Sequence, residues 1–251
     1  MTTLVQLFSA REFTPWETVL DQVKAVGFNG VEGFFGTYED PAAFRALLDQ
    51  RGLIMPQGHF GLDLLEGDFE KAIAIVKTLG VTVIIAPWLA PEDRPTTRAG
   101  WLALASRLKI LNEKVSGEGF GFAWHNHDFE FQKVEDGAIP MDILLDEVPG
   151  MAWEADLGWI FRAGLDPLDW LTSRRERIVS VHLKDIQPDH ETAPEGGWAD
   201  LGHGIHSWED VFTALPALPH LRAKVAEHDN PSDLQRFLSR WMASFQSLSS
   251  R

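Results

Sequence analysis

The sequence predicts an α/β fold, a closed (β/α)8 barrel in one domain spanning residues 1–251, and three observations carry that prediction. A unit of about 30 residues recurs along the chain: a short apolar strand, a polar turn, then an amphipathic helix. About eight such units fill 251 residues, close to the length of about 250 usual for a closed barrel. Strict alternation of strand and helix implies parallel pairing with right-handed crossovers. An open doubly wound sheet is the rival, but no G-x-G-x-x-G phosphate turn follows the first strand.

The strand candidates, in order, are "TLVQLFS", "GVEGFF", "LIMPQGHF", "TVIIAPW", "FGFAWHNH", "MAWEADLG", "IVSVHLKD" and "AKVAEHD". Helical patterns separate them. "TPWETVLDQVKAVG" offers a Thr cap, Pro at the first helical position and a closing Gly. "DPAAFRALLDQRG" repeats that grammar with an Asp cap. "GDFEKAIAIVKTLG", "RAGWLALASRLKILNEKVSGEG", "DPLDWLTSRRER" and "SWEDVFTALPAL" follow, and "NPSDLQRFLSRWMASFQSL" is the last. No linker or composition break divides the chain.

Composition narrows the function classes. The formal net charge of −15 opposes a nucleic-acid backbone as partner, because such a face needs clustered Lys and Arg. The chain has no cysteine, so thiolate chemistry and thiolate metal sites are out, and a reducing, cytoplasmic setting is expected. The start carries no secretory pattern and no segment approaches the roughly 20 apolar residues of a membrane span, so no membrane partner is expected. A small molecule is the expected partner, with association between copies of the chain left open.

In a barrel, alternate residues of each strand point inward, and those near the C-terminal strand ends face the mouth. That rule collects Gln6 from strand one, Glu32 from strand two, and Gln57 and His59 from strand three. Strand five gives His125 and His127, strand six Glu154 and Asp156, strand seven His182 and Lys184, and strand eight Glu227. Phe122, Trp124, Asn126, Trp153, Val181 and Leu183 fall on the outward side. Lys224 also falls there, and its stem has to snorkel past a helix. Burying so many ionisable groups unpaired costs several kcal/mol each, and a divalent cation is the simplest answer. Asp156, His182 and Glu227, with one group from strand five, offer a mixed nitrogen and oxygen shell. Such a shell suits Mn, Zn, Co or Fe, and Mg less well.

The stretches "FAWHNHDFEF", "WEADLGWIFRAGLDP", "VHLKD" and "KVAEHD" resemble the xylose isomerase-like TIM-barrel family of sugar isomerases and epimerases, as does "LVQLFSARE" at the start. The resemblance covers nearly the whole chain. It implies a divalent metal held by a carboxylate on strand five, Asp156 on strand six, His182 on strand seven and Glu227 on strand eight. This chain departs at strand five, where His125 stands at the position of the usual Glu. A histidine-bearing branch with the wording "HNHDFEF" shares the departure.

The chemistry expected is removal of a proton next to a carbonyl, in a metal-dependent isomerase or epimerase acting on a sugar through a metal-stabilised enediolate. The alternative is a lyase or hydratase on a 3-keto sugar or inosose. Family epimerases use two carboxylates on opposite faces of the substrate, and His125 removes one of them, which makes the alternative serious. Glu227 is the expected base, with His125 second, and His59 an acid or base. Lys184 is expected to polarise an oxygen or to form a salt bridge with Glu154 or Asp156. Glu154 reads as a support for His125 or Lys184. Gln6, Glu32, Trp88, His127, Glu154 and His203 complete the expected substrate-binding set. His203 lies in the long loop "DIQPDHETAPEGGWADLGHGIHSW", whose length suggests function or mobility. A non-catalytic sugar binder would need no such convergence, and a DNA-repair endonuclease of this fold would want a basic groove.

Overall fold

Eight parallel strands pair in one continuous ring in the computed structural model, which describes residues 2–250. The strands are β1 (Thr2–Gln6), β2 (Gly30–Gly33), β3 (Ile54–His59), β4 (Val83–Ala86), β5 (Gly121–His125), β6 (Ala152–Asp156), β7 (Ile178–Leu183) and β10 (Ala223–Ala226). β10 pairs with both β7 and β1, so the sheet has no free edge. The remaining two strands, β8 (Asp185–Ile186) and β9 (Trp198–Ala199), form a small antiparallel pair in the loop after β7.

The helices around the ring are α1 (Trp16–Val26), α2 (Pro41–Arg51), α3 (Leu62–Gly67), α4 (Phe69–Leu79), α5 (Arg98–Gly117), α6 (Pro140–Glu147), α7 (Leu157–Arg162), α8 (Pro167–Ser173), α9 (Glu209–Ala214) and α10 (Leu234–Ser249). Their ends follow capping chemistry. Asp40 accepts from Ala43 N at 3.0 Å, and Gly52 closes α2 at φ 60°, where a side chain would be strained. Asp68, Thr97, Asp166 and Asp233 cap α4, α5, α8 and α10 in the same way. The first helix departs from expectation: Pro15, not Thr14, holds the cap position, with no side-chain cap bond. Helices α3, α6 and α7 are additions to the predicted set. All three are short, and the eight residues of α6 are the longest of them, too few to show a helical period.

The main core lies between the strands and the helices, where Phe122, Trp124, Trp153, Val181 and Leu183 are buried as their outward strand positions require. Lys224 leaves the same side, its ammonium 5.4 Å from the ring of Phe212 and 5.1 Å from that of Phe245, so its charge escapes past α9 and α10. Inside the ring, Leu4, Ala223 and Val225 form one apolar plug and Val83, Ile85 and Ala123 another. Above these plugs the interior turns polar.

Candidate metal centre

Register decides which polar groups meet. Gln6 pairs with Glu32 and Glu32 with Gln57, so three polar side chains from β1, β2 and β3 share one level. His125 pairs with Glu154, Glu154 with Ser180, and Asp156 with His182, which brings β5, β6 and β7 into the same space.

The lower level is a hydrogen-bonded floor. Glu32 accepts from Gln6 Nε2 at 2.5 Å and also from Gln57 Nε2. Glu154 accepts from Gln57 Nε2 at 2.6 Å and from Ser180 Oγ at 2.7 Å. His59 Nε2 sits 2.8 Å from Glu154 Oε2 and 3.1 Å from Glu32 Oε1. Burial works against its charge, but Glu32 and Glu154 hold the His59 imidazole protonated, with its pKa up at about 9. Burial also opposes ionisation of the two carboxylates. His182 and His59 nevertheless bring Glu32 well below the usual range, and His182 and His125 bring Glu154 to about 2 against the added repulsion of Glu32.

Two histidines link this floor to an upper level. His125 sets Nδ1 3.2 Å from Glu154 Oε2 and aims Nε2 at Asp156 Oδ2, 3.7 Å away. His182 sets Nε2 2.9 Å from Glu32 Oε1 and aims Nδ1 at Glu227 Oε2 (2.9 Å) and Asp156 Oδ2 (3.7 Å). Each imidazole thus has one nitrogen oriented by a buried carboxylate and the other presented upward, the arrangement in which carboxylates orient metal-binding histidines.

The upper level is His125, Asp156, His182 and Glu227, all buried, with one donor atom from each lying within 4.8 Å of the others. Donors that share one ion at about 2.0–2.2 Å sit roughly 3–4 Å apart, close to the separations of 3.7, 3.7 and 2.9 Å among His125, Asp156, His182 and Glu227. A second group, His59, His125, Glu154 and His182, meets the same criterion. Its Glu154 is already saturated by Gln57, Ser180 and His59, whereas Asp156 Oδ2 makes no hydrogen bond and only an ion pair with Lys184 Nζ at 2.9 Å. The upper group therefore fits a cation better.

Asp156 is fixed from several sides. Its Oδ1 caps α7 by accepting from Trp159 N at 2.9 Å, and its backbone N–H donates to Asn126 Oδ1 at 3.0 Å. Asn126 also accepts from Trp153 Nε1 at 2.9 Å and donates to Asp156 O at 3.1 Å. The outward-facing residue between the two histidines is thus a clamp joining β5 to β6. Burial and the neighbouring Glu227 push the Asp156 carboxyl up despite Lys184, while Lys184 and His182 overcome burial and hold Glu227 well below the usual range.

Lys184 is fully buried, and its Nζ lies 2.9 Å from Asp156 Oδ2, 2.8 Å from Glu227 Oε2 and 2.6 Å from Asp229 Oδ1. Of its two expected partners, Asp156 is met and Glu154 is not. Three carboxylates around one ammonium leave a surplus of negative charge. Trp198, from β9, covers the ammonium at 4.3 Å, and α7 comes so close that a Cβ on Gly158 would stand 2.4 Å from Lys184 Cγ.

Above the cluster opens a cavity of about 900 Å³, lined among others by His59, His125, His127, Trp88, Trp159, Glu227 and Asp229. His127 has a buried Nδ1 without a hydrogen bond, and burial with Lys184 nearby keeps its ring neutral. Three residues expected at the substrate lie elsewhere: Gln6, Glu32 and Glu154 belong to the floor and do not reach the cavity wall. His203 is exposed on the loop after β7 and also lies off the cavity wall. Asp185 explains why, since it draws in Gly204 N, His206 N and Trp208 Nε1 and so folds the loop away from the mouth. The strand-end pattern passed over Asp229, although it follows Glu227 by two and shares its side. Ser180, Trp159 and Trp198 were also passed over.

Residues 20–244 match the family described as xylose isomerase-like TIM barrel. The rhizopine catabolism protein MocC of Rhizobium meliloti is 26% identical over 219 residues, covering 80% of this chain, and the chain spans only 66% of that protein's length. Inosose dehydratase 2 of Bacillus cereus is 22% identical over 232 residues, covering 80% of this chain and 77% of that one. Among solved structures, a sugar phosphate isomerase/epimerase from Parabacteroides distasonis superposes with a TM-score of 0.81 at 17% identity, covering 98% of this chain and 94% of the other. The IOLI protein with a bound zinc atom gives 0.81 at 11% identity, covering 100% and 98%. By the extent of the family match, this chain belongs to the xylose isomerase-like TIM-barrel family.

Proposed function

We propose that the protein is a divalent-metal-dependent enzyme that removes the proton beside a carbonyl of a small sugar or keto-sugar, as an isomerase or epimerase. His125, Asp156, His182 and Glu227 hold the ion in this reading. The observation that carries it is the convergence of four buried donor atoms from four strands or their ends, one of them an Asp156 oxygen paired only with the Lys184 ammonium. Imidazole with carboxylate favours Mn, Zn, Co or Fe over Mg. Bound there, a divalent ion supplies positive charge against the negative charge that builds on the substrate oxygens as the proton leaves.

The chain's own groups divide the remaining work. Glu227, held ionised by Lys184 and His182, is stronger as a ligand than as a base. Neutral His127, on the cavity wall with a nitrogen that makes no hydrogen bond, is placed to accept the proton, and burial with the nearby Lys184 makes it a weak base. Protonated His59 faces the cavity from the floor and serves as the acid. Lys184 fixes Glu227 and Asp229 and adds a permanent positive charge beside the reacting oxygens.

One observation favours a second reading, carbon–oxygen elimination. The carboxylates that line the cavity beside the cluster, Glu227 and Asp229, both come from the end of β10, so the substrate meets them from one side. In an elimination the C–H pair becomes the new C=C bond, the C–O bond on the next carbon breaks, and the departing oxygen takes a proton from His59. Incubation of metal-loaded protein with aldoses, ketoses and inososes in deuterated water tests both. Deuterium at carbon with the formula otherwise retained marks an isomerase or epimerase, and loss of water or another leaving group marks a lyase. If no candidate sugar exchanges or eliminates, both readings fail.

A further inference from the structure

From the shape and chemistry of the mouth, we infer that the substrate is a keto-sugar derivative carrying an aromatic group, which packs on an apolar wall beside the metal cluster. The inference rests on the proposed function for the position of the sugar ring, and on the wall for everything else.

The cavity, at about 900 Å³, lies near the top of the range of roughly 300–1,000 Å³ seen for drug-sized ligands. A single sugar ring over the four donors leaves most of it unfilled. One wall of the unfilled part is apolar. Phe8, Phe34, Phe35, Leu64 and Trp88 come from the segments that follow β1 to β4, and Trp159 faces the same cavity from α7. Phe35 is 76% exposed and Trp88 45% exposed, although most large hydrophobic side chains of this protein are buried. Phe34 braces the wall from behind, its ring edge-on to Phe8 and Phe35 at 5.7 and 5.1 Å. Two large exposed rings on a braced wall, continuous with a buried polar cluster, suit a ligand with one polar and one aromatic end.

The test compares phenyl β-glucopyranoside with methyl β-glucopyranoside by titration calorimetry on the metal-loaded protein. The phenyl compound should bind at least tenfold more tightly, and the combined Phe35→Ala and Trp88→Ala variant should lose that preference. Equal affinities, or a preference that survives both substitutions, overturn the inference. So does a variant that turns a dimer into a monomer in light scattering and keeps the preference, since the wall would then pack on a second copy of the chain. The outcome is independent of turnover: a phenyl preference with no deuterium exchange on any sugar retains the wall and removes the proposed reaction, and exchange without the preference does the reverse.

Discussion

The two halves of the barrel mouth are built on opposite principles. On the side of β5, β6, β7 and β10, nearly every inward group is ionisable, buried and held by two or more partners, as His182 is by Glu32, Glu154 and Glu227. On the side of β1 to β4, the groups at the cavity are largely aromatic, partly exposed and carried by the segments after the strands. The first half is over-determined and the second is adaptable. Reactive geometry tolerates little displacement, whereas apolar contact depends on area and is forgiving of shape.

Substitutions can break that contrast, and the largest effect belongs to the polar half. Asp156→Ala should abolish metal retention, measured by plasma mass spectrometry on purified protein, and cut turnover by about a thousandfold, the equivalent of several kcal/mol of lost charge stabilisation. Unchanged metal content would move the ion to the deeper group around Glu154. Lys184→Met comes next. Leaving Asp156, Glu227 and Asp229 without their ammonium should cost the metal-free protein about 3–5 kcal/mol in urea denaturation at pH 8. The loss should shrink at pH 5, where the carboxylates take up protons, and also when Mn or Zn is added. An equal loss at both pH values would show that Lys184 acts through packing alone.

A smaller effect comes from the floor. Because the folded state raises His59 from 6.5 to about 9, it binds a proton that the unfolded chain has released between those values. The resulting stability is fully present below pH 6.5 and disappears as pH rises through 9, with a slope of at most about 1.4 kcal/mol per pH unit. In the metal-free protein, His59→Gln should flatten that part of the profile. A profile that keeps its slope would assign the proton to another group. The smallest effect belongs to the aromatic half: Phe35→Ala should change stability by no more than about 0.5 kcal/mol and leave metal content intact. A larger loss would mean that the ring is structural.

The same division explains what could be read from the chain. Alternation along strands points His125, Asp156, His182 and Glu227 into the barrel, and parallel order brings them together, so the polar cluster is legible from period and sequence order. Depth along the barrel axis is not legible in that way, because it depends on register. Gln6, Glu32 and Glu154 point inward as expected yet sit below the cavity, one level deeper than the residues that line it. The aromatic wall escapes for another reason: Phe34, Phe35 and Trp88 lie just beyond strand ends, where alternation stops defining direction. Asn126 has an outward position and still governs the site, because a side-chain amide can bridge two strands by their backbones. The turn that leaves His203 outside is set by Asp185, an acid legible in "VHLKD" only as part of a motif.

The floor beneath the donors has a practical corollary. Gln6, Glu32, Gln57, Glu154 and Ser180 tie five strands together without using any loop residue. Segments above the strand ends can therefore be exchanged, lengthened or re-cut while the imidazoles below keep their aim. A scaffold so divided lends itself to redesign of selectivity by grafting rims, with the hydrogen-bonded floor left untouched.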